Sequence, residues 1–319
     1  MNKARHRGKM QKNLKGVFIM MRYSFICAFF VVMLMISAWS NAAWAVENNV
    51  AEFTVGKVSV WAIADSTGDR EMNVFPDADP EAVSQYVPAG RTPSSIMVFL
   101  IKTGNETILV DAGLGAPSGD RASRLGEGLK RIGVAPEEIT MVLITHMHGD
   151  HIGGLVMGSE KTFPSARVLS SRVEHDFWLD EKSPELFPAR RAGFDMAREI
   201  LGLYGSASET FEFSSEVVPG ITAIDALGHT PGHTVYLLES EGEKMLFWGD
   251  LVHAAALQFP RPDICAQFDM DPEMSVTSRI RFMEKAAEEK LTIAGAHLPF
   301  PGIGSVGKTP AGQYVYISR

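Results

Sequence analysis

Three histidines and an aspartate lie close together in the middle of the chain, at His146, His148, Asp150 and His151. Side chains two residues apart on an extended backbone share a face, so His146 and His148 can converge on one ion. Gly149 permits a sharp turn, after which Asp150 and His151 point elsewhere and can serve a second ion. Imidazole and carboxylate groups are ligands of zinc and similar divalent ions. The spacing therefore predicts a metal centre.

The elements around this segment place it at the end of a buried strand, residues 139–145. Further strands are predicted at 53–64, 95–103, 106–111, 166–170, 217–226, 235–240, 244–248 and 291–294, and helices at 121–132, 174–179, 188–204 and 274–290. The long polar stretch 65–94 predicts a functional loop or lid. Strands and helices recur in clusters, so we expect an α+β fold in which helices cover two sheets.

The first 45 residues have the pattern of a secretory signal peptide. They carry seven Lys or Arg and no Asp or Glu, and residues 25–38 form an apolar run of 14. Ala43-Trp44-Ala45 then offers the small residues that signal peptidase recognises. An uncleaved anchor is the alternative, because the uncharged span approaches the about 20 residues that a bilayer requires. We expect cleavage, one mature domain at 46–319, a periplasmic or secreted location, and no stable membrane association afterwards.

Composition excludes several classes of protein. Of 319 residues, 45% are hydrophobic and 21% are charged, which excludes a disordered chain and a multi-span membrane protein. Residues 46–319 hold 23 basic and 38 acidic residues, a net charge of −15, so we expect no nucleic-acid partner. Cys265 is the only cysteine after the N-terminal segment and cannot form an intramolecular disulfide. The expected partner is a small molecule, and a homodimer is compatible with the sequence.

Five segments resemble the metallo-β-lactamase superfamily and follow its order along the chain. They are the metal motif 145–151, the strand end 108–113, the turn 228–233 (GHTPGH), the strand end 247–250 (FWGD) and the strand end 294–297 (AGAH). The resemblance covers roughly residues 53–302. It implies a four-layer αβ/βα sandwich with metals at the edge where the two sheets meet. The nearest branch is that of methyl parathion hydrolases and dinuclear lactonases or arylesterases.

The resemblance also implies a role for individual residues. Site one would comprise His146, His148 and His229, site two would comprise Asp150, His151 and His297, and Asp250 would bridge them. The expected cofactors are two divalent ions, with zinc the expected identity. Asp250 and Asp150 are the predicted catalytic residues, around a bridging hydroxide that attacks the substrate. Asp111 and His233 are expected to support ligands rather than bind metal, and His253 is a further candidate for the pocket.

The implied function is hydrolysis of an ester-like bond in a small molecule. Lactones, aryl esters and organophosphate triesters are the candidate substrates, and Trp178, Phe259 and Phe300 are the predicted substrate-binding residues. The chain departs from the branch at residues 115–122, which lack a substrate-facing aromatic residue, and at Gly149, which replaces a proline. Two alternatives are a β-lactamase-type amide hydrolase and a di-iron redox protein in the same ligand cage.

Overall fold

Two seven-stranded sheets face each other in the computed structural model, which describes residues 49–115 and 122–319. In spatial order the first contains β1 (Val50–Val55), β2 (Val58–Glu71), β3 (Arg91–Lys102), β4 (Thr107–Val110), β5 (Met141–Leu143), β8 (Arg167–Ser171) and β9 (Ser208–Phe211). The second contains β10 (Glu216–Val218), β11 (Ile221–Asp225), β12 (Thr234–Ser240), β13 (Glu243–Phe247), β14 (Thr292–Ala294), β15 (Ile303–Lys308) and β16 (Tyr314–Ser318). β6 (Val156–Met157) and β7 (Glu160–Lys161) form a separate hairpin. The predicted signal peptide lies outside the described residues.

The described residues contain eight helices, of which those with eight or more residues cover the outer faces of the two sheets. The eight helices are α1 (Pro80–Tyr86), α2 (Leu125–Ile132), α3 (Gly149–Ile152), α4 (Arg172–Leu179), α5 (Ser183–Leu186), α6 (Arg191–Tyr204), α7 (Ala255–Gln258) and α8 (Pro272–Glu288). Single 3-10 turns occur at Met72–Val74, Pro136–Glu138, Gly153–Leu155, Pro188–Arg190 and Gly205–Ala207. Over residues 49–115 and 122–319, no helix combines the length and apolar character needed to cross a bilayer.

The core consists of three hydrophobic layers separated by the two sheets. Alternate residues of β3 belong to different layers: Val98 and Leu100 pack with α2, α4 and α6, whereas Phe99 and Ile101 pack against the second sheet. Phe282 of α8 belongs to the third layer, on the outer face of the second sheet. Central strands covered on both faces are continuously apolar, as in the run 96–101. The architecture is the predicted α+β, four-layer αβ/βα sandwich.

The polar stretch predicted as a loop or lid is instead the distal half of a long hairpin. Residues 66–71 of β2 pair with residues 91–96 of β3, and α1 lies within the connection. Met72 and Phe75 are buried beside Leu257, so the apolar tip is packed rather than free to close over a site. The prediction was wrong because the outer part of β2 is largely exposed and lacks the apolar alternation that marks a strand.

Candidate metal centre

The predicted ligands meet at the edge where strands of both sheets end. β4, β5 and β8 are parallel neighbours, and the loop after β5 carries His146 and His148. β13 and β14 are also parallel, and the loops that follow them carry Asp250 and His297. His229 lies in the loop between β11 and β12. Residues from distant parts of the sequence therefore converge because their strands end at one place.

Three histidine nitrogens form the first group of candidate ligands. Nε2 of His146, Nδ1 of His148 and Nε2 of His229 lie 3.0–3.2 Å from one another. Nitrogens that bind one tetrahedral zinc at about 2.0–2.1 Å are about 3.3 Å apart, so this spacing suits a single ion. Oδ2 of Asp250 lies 3.3 Å from Nε2 of His229 and 3.7 Å from Nε2 of His146. A carboxylate thus stands beside a three-histidine group.

Asp150, His151 and His297 form the second group, and Asp250 lies between the two groups. Nε2 of His151 is 3.8 Å from Oδ1 of Asp150 and 3.2 Å from Oδ1 of Asp250. Nε2 of His297 is 3.5 Å from Oδ2 of Asp150 and 3.0 Å from Oδ2 of Asp250. Asp250 therefore contacts histidines of both groups, which is the position expected of the bridging residue.

Two buried atoms test whether cations fit this cluster. Among the described residues, Nε2 of His151 and Oδ1 of Asp250 are buried and make no hydrogen bond, although they face each other at 3.2 Å. A buried polar atom without a hydrogen-bond partner costs about 1–3 kcal/mol of folding free energy. Two such atoms next to each other therefore indicate a site for a group that interacts with both. A divalent cation between the groups would satisfy both atoms. The donor set and its spacing therefore fit two divalent ions.

In three of the candidate ligands, Nδ1 lies within hydrogen-bond distance of a carboxylate or carbonyl oxygen of another residue. The pairs are His229 with Asp269 and His151 with Asp111, both at 2.8 Å, and His297 with the Ser95 carbonyl at 2.9 Å. In each pair Nδ1 donates, which leaves Nε2 free to bind a metal ion. The supporting role predicted for Asp111 agrees with this geometry, whereas Asp269 and Ser95 were not predicted.

His233 supports the cluster without facing it. Its Nδ1 donates to the Ala226 carbonyl at 3.1 Å, and its Nε2 accepts from the backbone N–H of Asp250 at 3.0 Å. Burial and the nearby His229 lower the pKa of His233 to about 3, in agreement with a neutral ring. Gly249 permits this contact, because its φ is +53° and a Cβ there would lie 2.5 Å from Nε2 of His233.

Electrostatic interactions shift the pKa values of His229 and Asp250 in opposite directions. Burial lowers the pKa of His229, but hydrogen bonds with Asp250 and Asp269 outweigh burial and raise it to about 9. Burial raises the pKa of Asp250, but the surrounding histidines, His151 foremost, hold it well below its usual range. The cluster therefore pairs histidine protons with carboxylates, and these protons are what bound cations would displace.

A cavity of about 220 Å³ opens beside the cluster. Arg70, Arg190, Phe268 and His253 line it together with Gly149 and four of the candidate ligands, His148, Asp150, Asp250 and His297. Nη2 of Arg190 donates to the Phe268 carbonyl at 2.8 Å, and the Arg70 guanidinium lies 5.7 Å from the centre of the Phe268 ring. Nε2 of His253 is 3.1 Å from Oδ2 of Asp250, so this candidate does face the pocket. The two arginines were not predicted, because no motif marks them.

The three aromatic residues predicted to bind substrate do not line this cavity. Trp178 is 1% exposed and lies in the hydrophobic layer between the first sheet and its helices. Its Nε1 donates to Oε1 of Glu174 at 2.6 Å. Phe259 is also 1% exposed and packs in the layer beside α8, while Phe300 packs against the layer between the sheets. Trp178 and Phe259 are core residues in this structure, and Phe300 is half-buried at the edge of the core, because the large apolar area of an aromatic side chain favours burial.

Two further buried carboxylates escaped prediction because neither lies in a spaced motif. Asp269 accepts hydrogen bonds from His229 and, at 3.2 Å, from Nη2 of the fully buried Arg279. Burial raises the pKa of the Glu174 carboxyl, and hydrogen bonds from Met147 and other neighbours oppose this shift. A charged residue within a predicted apolar helix face, as at Arg279, is the only sequence signal that could have indicated such a network.

Known proteins resemble this chain in both sequence and fold. The sequence profile of the metallo-beta-lactamase superfamily matches residues 91–295. N-acyl homoserine lactonase AiiA of Bacillus thuringiensis subsp. kurstaki is 24% identical over 250 residues, covering 66% of this chain and 91% of that protein. The hydrolase AbOPH, described as a member of the beta lactamase superfamily, superposes with a TM-score of 0.79 at 30% identity, covering 85% of this chain and 97% of its own. AidC, described as a dizinc quorum-quenching lactonase, gives 0.78 at 25% identity with the same coverage.

Proposed function

This chain belongs to the metallo-β-lactamase superfamily and is a hydrolase, and we propose that it uses two divalent metal ions to cleave ester-like bonds of small molecules. The observation that carries the proposal is that Asp250 contacts histidines of both ligand groups through its two carboxylate oxygens. Zinc is the proposed ion, since the nitrogen spacing suits it and the similar lactonase AidC is described as dizinc.

In the proposed reaction, the bound ions and the side chains around them have different roles. Two bound ions supply Lewis-acid polarisation of the substrate oxygen and a water molecule of lowered pKa. Asp250, 3% exposed, keeps the two ligand groups together, whereas Asp150, 29% exposed, is the carboxylate that a molecule in the cavity can reach. The guanidinium groups of Arg70 and Arg190 can donate to the oxygen on which negative charge develops.

A substrate panel tests the proposal and separates its substrate classes. Lactones are the first class to examine, because AiiA and AidC are both described as lactonases. We expect the zinc-loaded protein to hydrolyse N-acyl homoserine lactones or 4-nitrophenyl acetate, and dimethyl 4-nitrophenyl phosphate tests for phosphotriester turnover. An ester substrate that also carries a free carboxylate tests whether Arg70 and Arg190 favour anionic substrates despite the negative net charge of the protein.

The same panel distinguishes the alternatives. Turnover of a chromogenic cephalosporin alone would favour a β-lactamase-type amide hydrolase. Two bound irons with redox-dependent absorbance would favour a di-iron redox protein. A protein that binds two ions but hydrolyses no ester, lactone or phosphotriester would contradict the proposed function.

Replacement of Arg190 by glutamine should weaken substrate use, and the zinc content must be measured with the kinetics because Nη1 of Arg190 lies 3.2 Å from Nε2 of the candidate ligand His148. A hydrogen bond to a charged donor contributes about 1.5–3 kcal/mol, so we expect kcat/KM to fall about tenfold, mainly through KM. Steady-state kinetics and elemental analysis check this result. Arg191→Gln is the matched control, because Arg191 is the neighbouring exposed arginine and does not line the cavity. Equal kinetics for both variants would place Arg190 outside the substrate site.

Export through the N-terminal 45 residues is also part of the proposal. When the full chain is expressed in a Gram-negative bacterium, we expect a periplasmic product that begins at Val46, because Ala43 and Ala45 fit the cleavage pattern. Intact-mass measurement of the periplasmic fraction checks this, and Leu34→Arg, which interrupts the apolar run, should block export. An unprocessed chain in the membrane fraction would support the anchor alternative instead.

A further inference from the structure

We propose that Glu174 is a positioning residue that fixes the two histidine loops of the first ligand group relative to each other. The inference rests on the proposed dinuclear function and deepens it, because it concerns the affinity of one ligand group for its ion. Glu174 lies in the first turn of α4, is 0% exposed and is not a candidate ligand itself. A fully buried carboxylate requires partners that offset its desolvation, and those partners indicate its role.

Each carboxylate oxygen of Glu174 accepts two hydrogen bonds. Oε1 accepts from the backbone N–H of Met147 at 2.9 Å and from the indole N–H of Trp178 at 2.6 Å. Oε2 accepts from the hydroxyl of Thr230 at 2.7 Å and from the backbone N–H of Gly232 at 2.9 Å. All four partners are donors, so an ionised carboxylate satisfies every one, whereas an amide would present N–H groups to two of them.

Three of these donors, from Met147, Thr230 and Gly232, belong to the two loops that carry the first ligand group. Met147 separates His146 from His148, and Thr230 follows His229 directly. His229 is 83 and 81 residues from the two histidines of the other loop, so no local turn fixes their separation. The single carboxylate therefore joins two loops that are distant in sequence, next to the hydrogen bonds from the Thr234 N–H to the Thr145 carbonyl at 2.9 Å and from the Tyr236 hydroxyl to the Ile144 carbonyl at 2.7 Å.

Close packing at Gly232 holds the second loop against the carboxylate. A Cβ at Gly232 would lie 2.1 Å from the backbone nitrogen of Glu174, so only glycine permits this approach. Oγ of Ser171 accepts from the backbone N–H of Glu174 at 3.1 Å and donates to the Gly232 carbonyl at 2.8 Å. The start of α4 and the second loop are thus fixed to each other by backbone as well as side-chain contacts.

The nitrogen spacing of the first group depends on how these two loops are placed. Its 3.0–3.2 Å separations suit one ion, and a shift of one loop would lengthen the distances that involve His229. Outer groups that orient metal ligands typically contribute 10- to 100-fold in metal affinity. Glu174 does not contact Asp150, His151 or His297 in any described hydrogen bond, so its effect should be confined to the first group.

Zinc titration against a chromophoric chelator tests the inference through affinity rather than turnover. We expect wild type to bind two equivalents, and Glu174→Gln to bind one of them 10- to 100-fold more weakly with the other unchanged. Trp178→Phe is the matched control, since it removes one donor from the same carboxylate but none from a ligand loop. Should Glu174→Gln not fold, Thr230→Val removes a single loop donor and should cause a smaller loss in the same equivalent.

Combining Glu174→Gln with a second substitution identifies which of the two ligand groups loses zinc affinity. In a His229→Ala variant the first group is already broken, so adding Glu174→Gln should cost no further zinc affinity. Equal weakening of both equivalents, or a lower melting temperature with unchanged zinc affinities, would overturn the inference and leave Glu174 a role in folding alone. A wild-type protein that binds fewer than two equivalents would instead overturn the dinuclear proposal on which the inference depends.

Discussion

Replacement of Asp250 by alanine should lower kcat/KM by at least about 10³-fold and reduce bound zinc from two equivalents to one or fewer. Removal of a single electrostatic group from an active site typically costs about 10²- to 10³-fold, and this variant loses a proposed ligand as well. Asp250 is the residue that contacts both ligand groups, so neither group keeps its full donor set without it. Steady-state kinetics and elemental analysis of the same preparation measure both effects.

Two further variants separate this effect from a loss of packing. Asp250→Asn keeps the volume and one oxygen but removes the negative charge, so its activity should also fall steeply. Asp263→Ala removes an exposed carboxylate that pairs with Arg261 at 2.7 Å on the surface, and both activity and zinc content should stay unchanged. Two bound zinc ions and activity within tenfold of wild type in Asp250→Ala would contradict the bridging role.

The candidate ligands could be predicted from sequence because chemistry restricts what such residues do. His146 and His148 follow a run of apolar residues, and few structural roles require two histidines at that spacing. His229, Asp250 and His297 could be assigned to the same centre because their segments resemble those of the metallo-β-lactamase superfamily, and the parallel pairing of β13 and β14 brings Asp250 and His297 to one edge of the sheet. Sequence order and residue type together therefore define most of the site.

Two of the residues that orient the ligands, Asp269 and Ser95, could not be predicted, because their contacts are not local and, unlike Asp111, they lie in no motif that the resemblance covers. Asp269 lies 40 residues from His229, and Ser95 lies 202 residues from His297 and acts through its backbone carbonyl. A carbonyl group is common to every residue and leaves no mark in the sequence. Only the packing of the two sheets determines which carbonyl or carboxylate reaches which histidine.

The aromatic residues predicted to bind substrate do not line the cavity for a different reason. An aromatic residue such as Trp178 suits a pocket wall and a core equally well, since both are apolar surroundings. Its position in the fold decides, and α6 covers it with Phe194, whose ring centre is 4.6 Å away. Arg70 reaches the cavity from the outer part of β2, which the polar composition had assigned to a loop. Because this part of the strand was not predicted, Arg70 was not predicted as a residue of the site.

His229→Ala and His233→Ala should give opposite results although both residues lie in one turn. We expect His229→Ala to lose one zinc equivalent and at least about 10³-fold in kcat/KM, because its Nε2 belongs to the first ligand group. His233→Ala should keep both zinc equivalents. Its expected cost is about 1–3 kcal/mol of unfolding free energy, since the Asp250 N–H and the Ala226 carbonyl each lose a buried partner.

The pair is informative because the two substitutions remove the same atoms from equally buried positions. His229 is 1% exposed and His233 is 0% exposed, so a general loss of packing would affect both variants alike. Elemental analysis gives the zinc content, and urea unfolding of the metal-free proteins gives the stability change without the contribution of bound ions. Zinc lost from His233→Ala but retained by His229→Ala would reverse the assignment. It would mean that His233, and not His229, binds the ion.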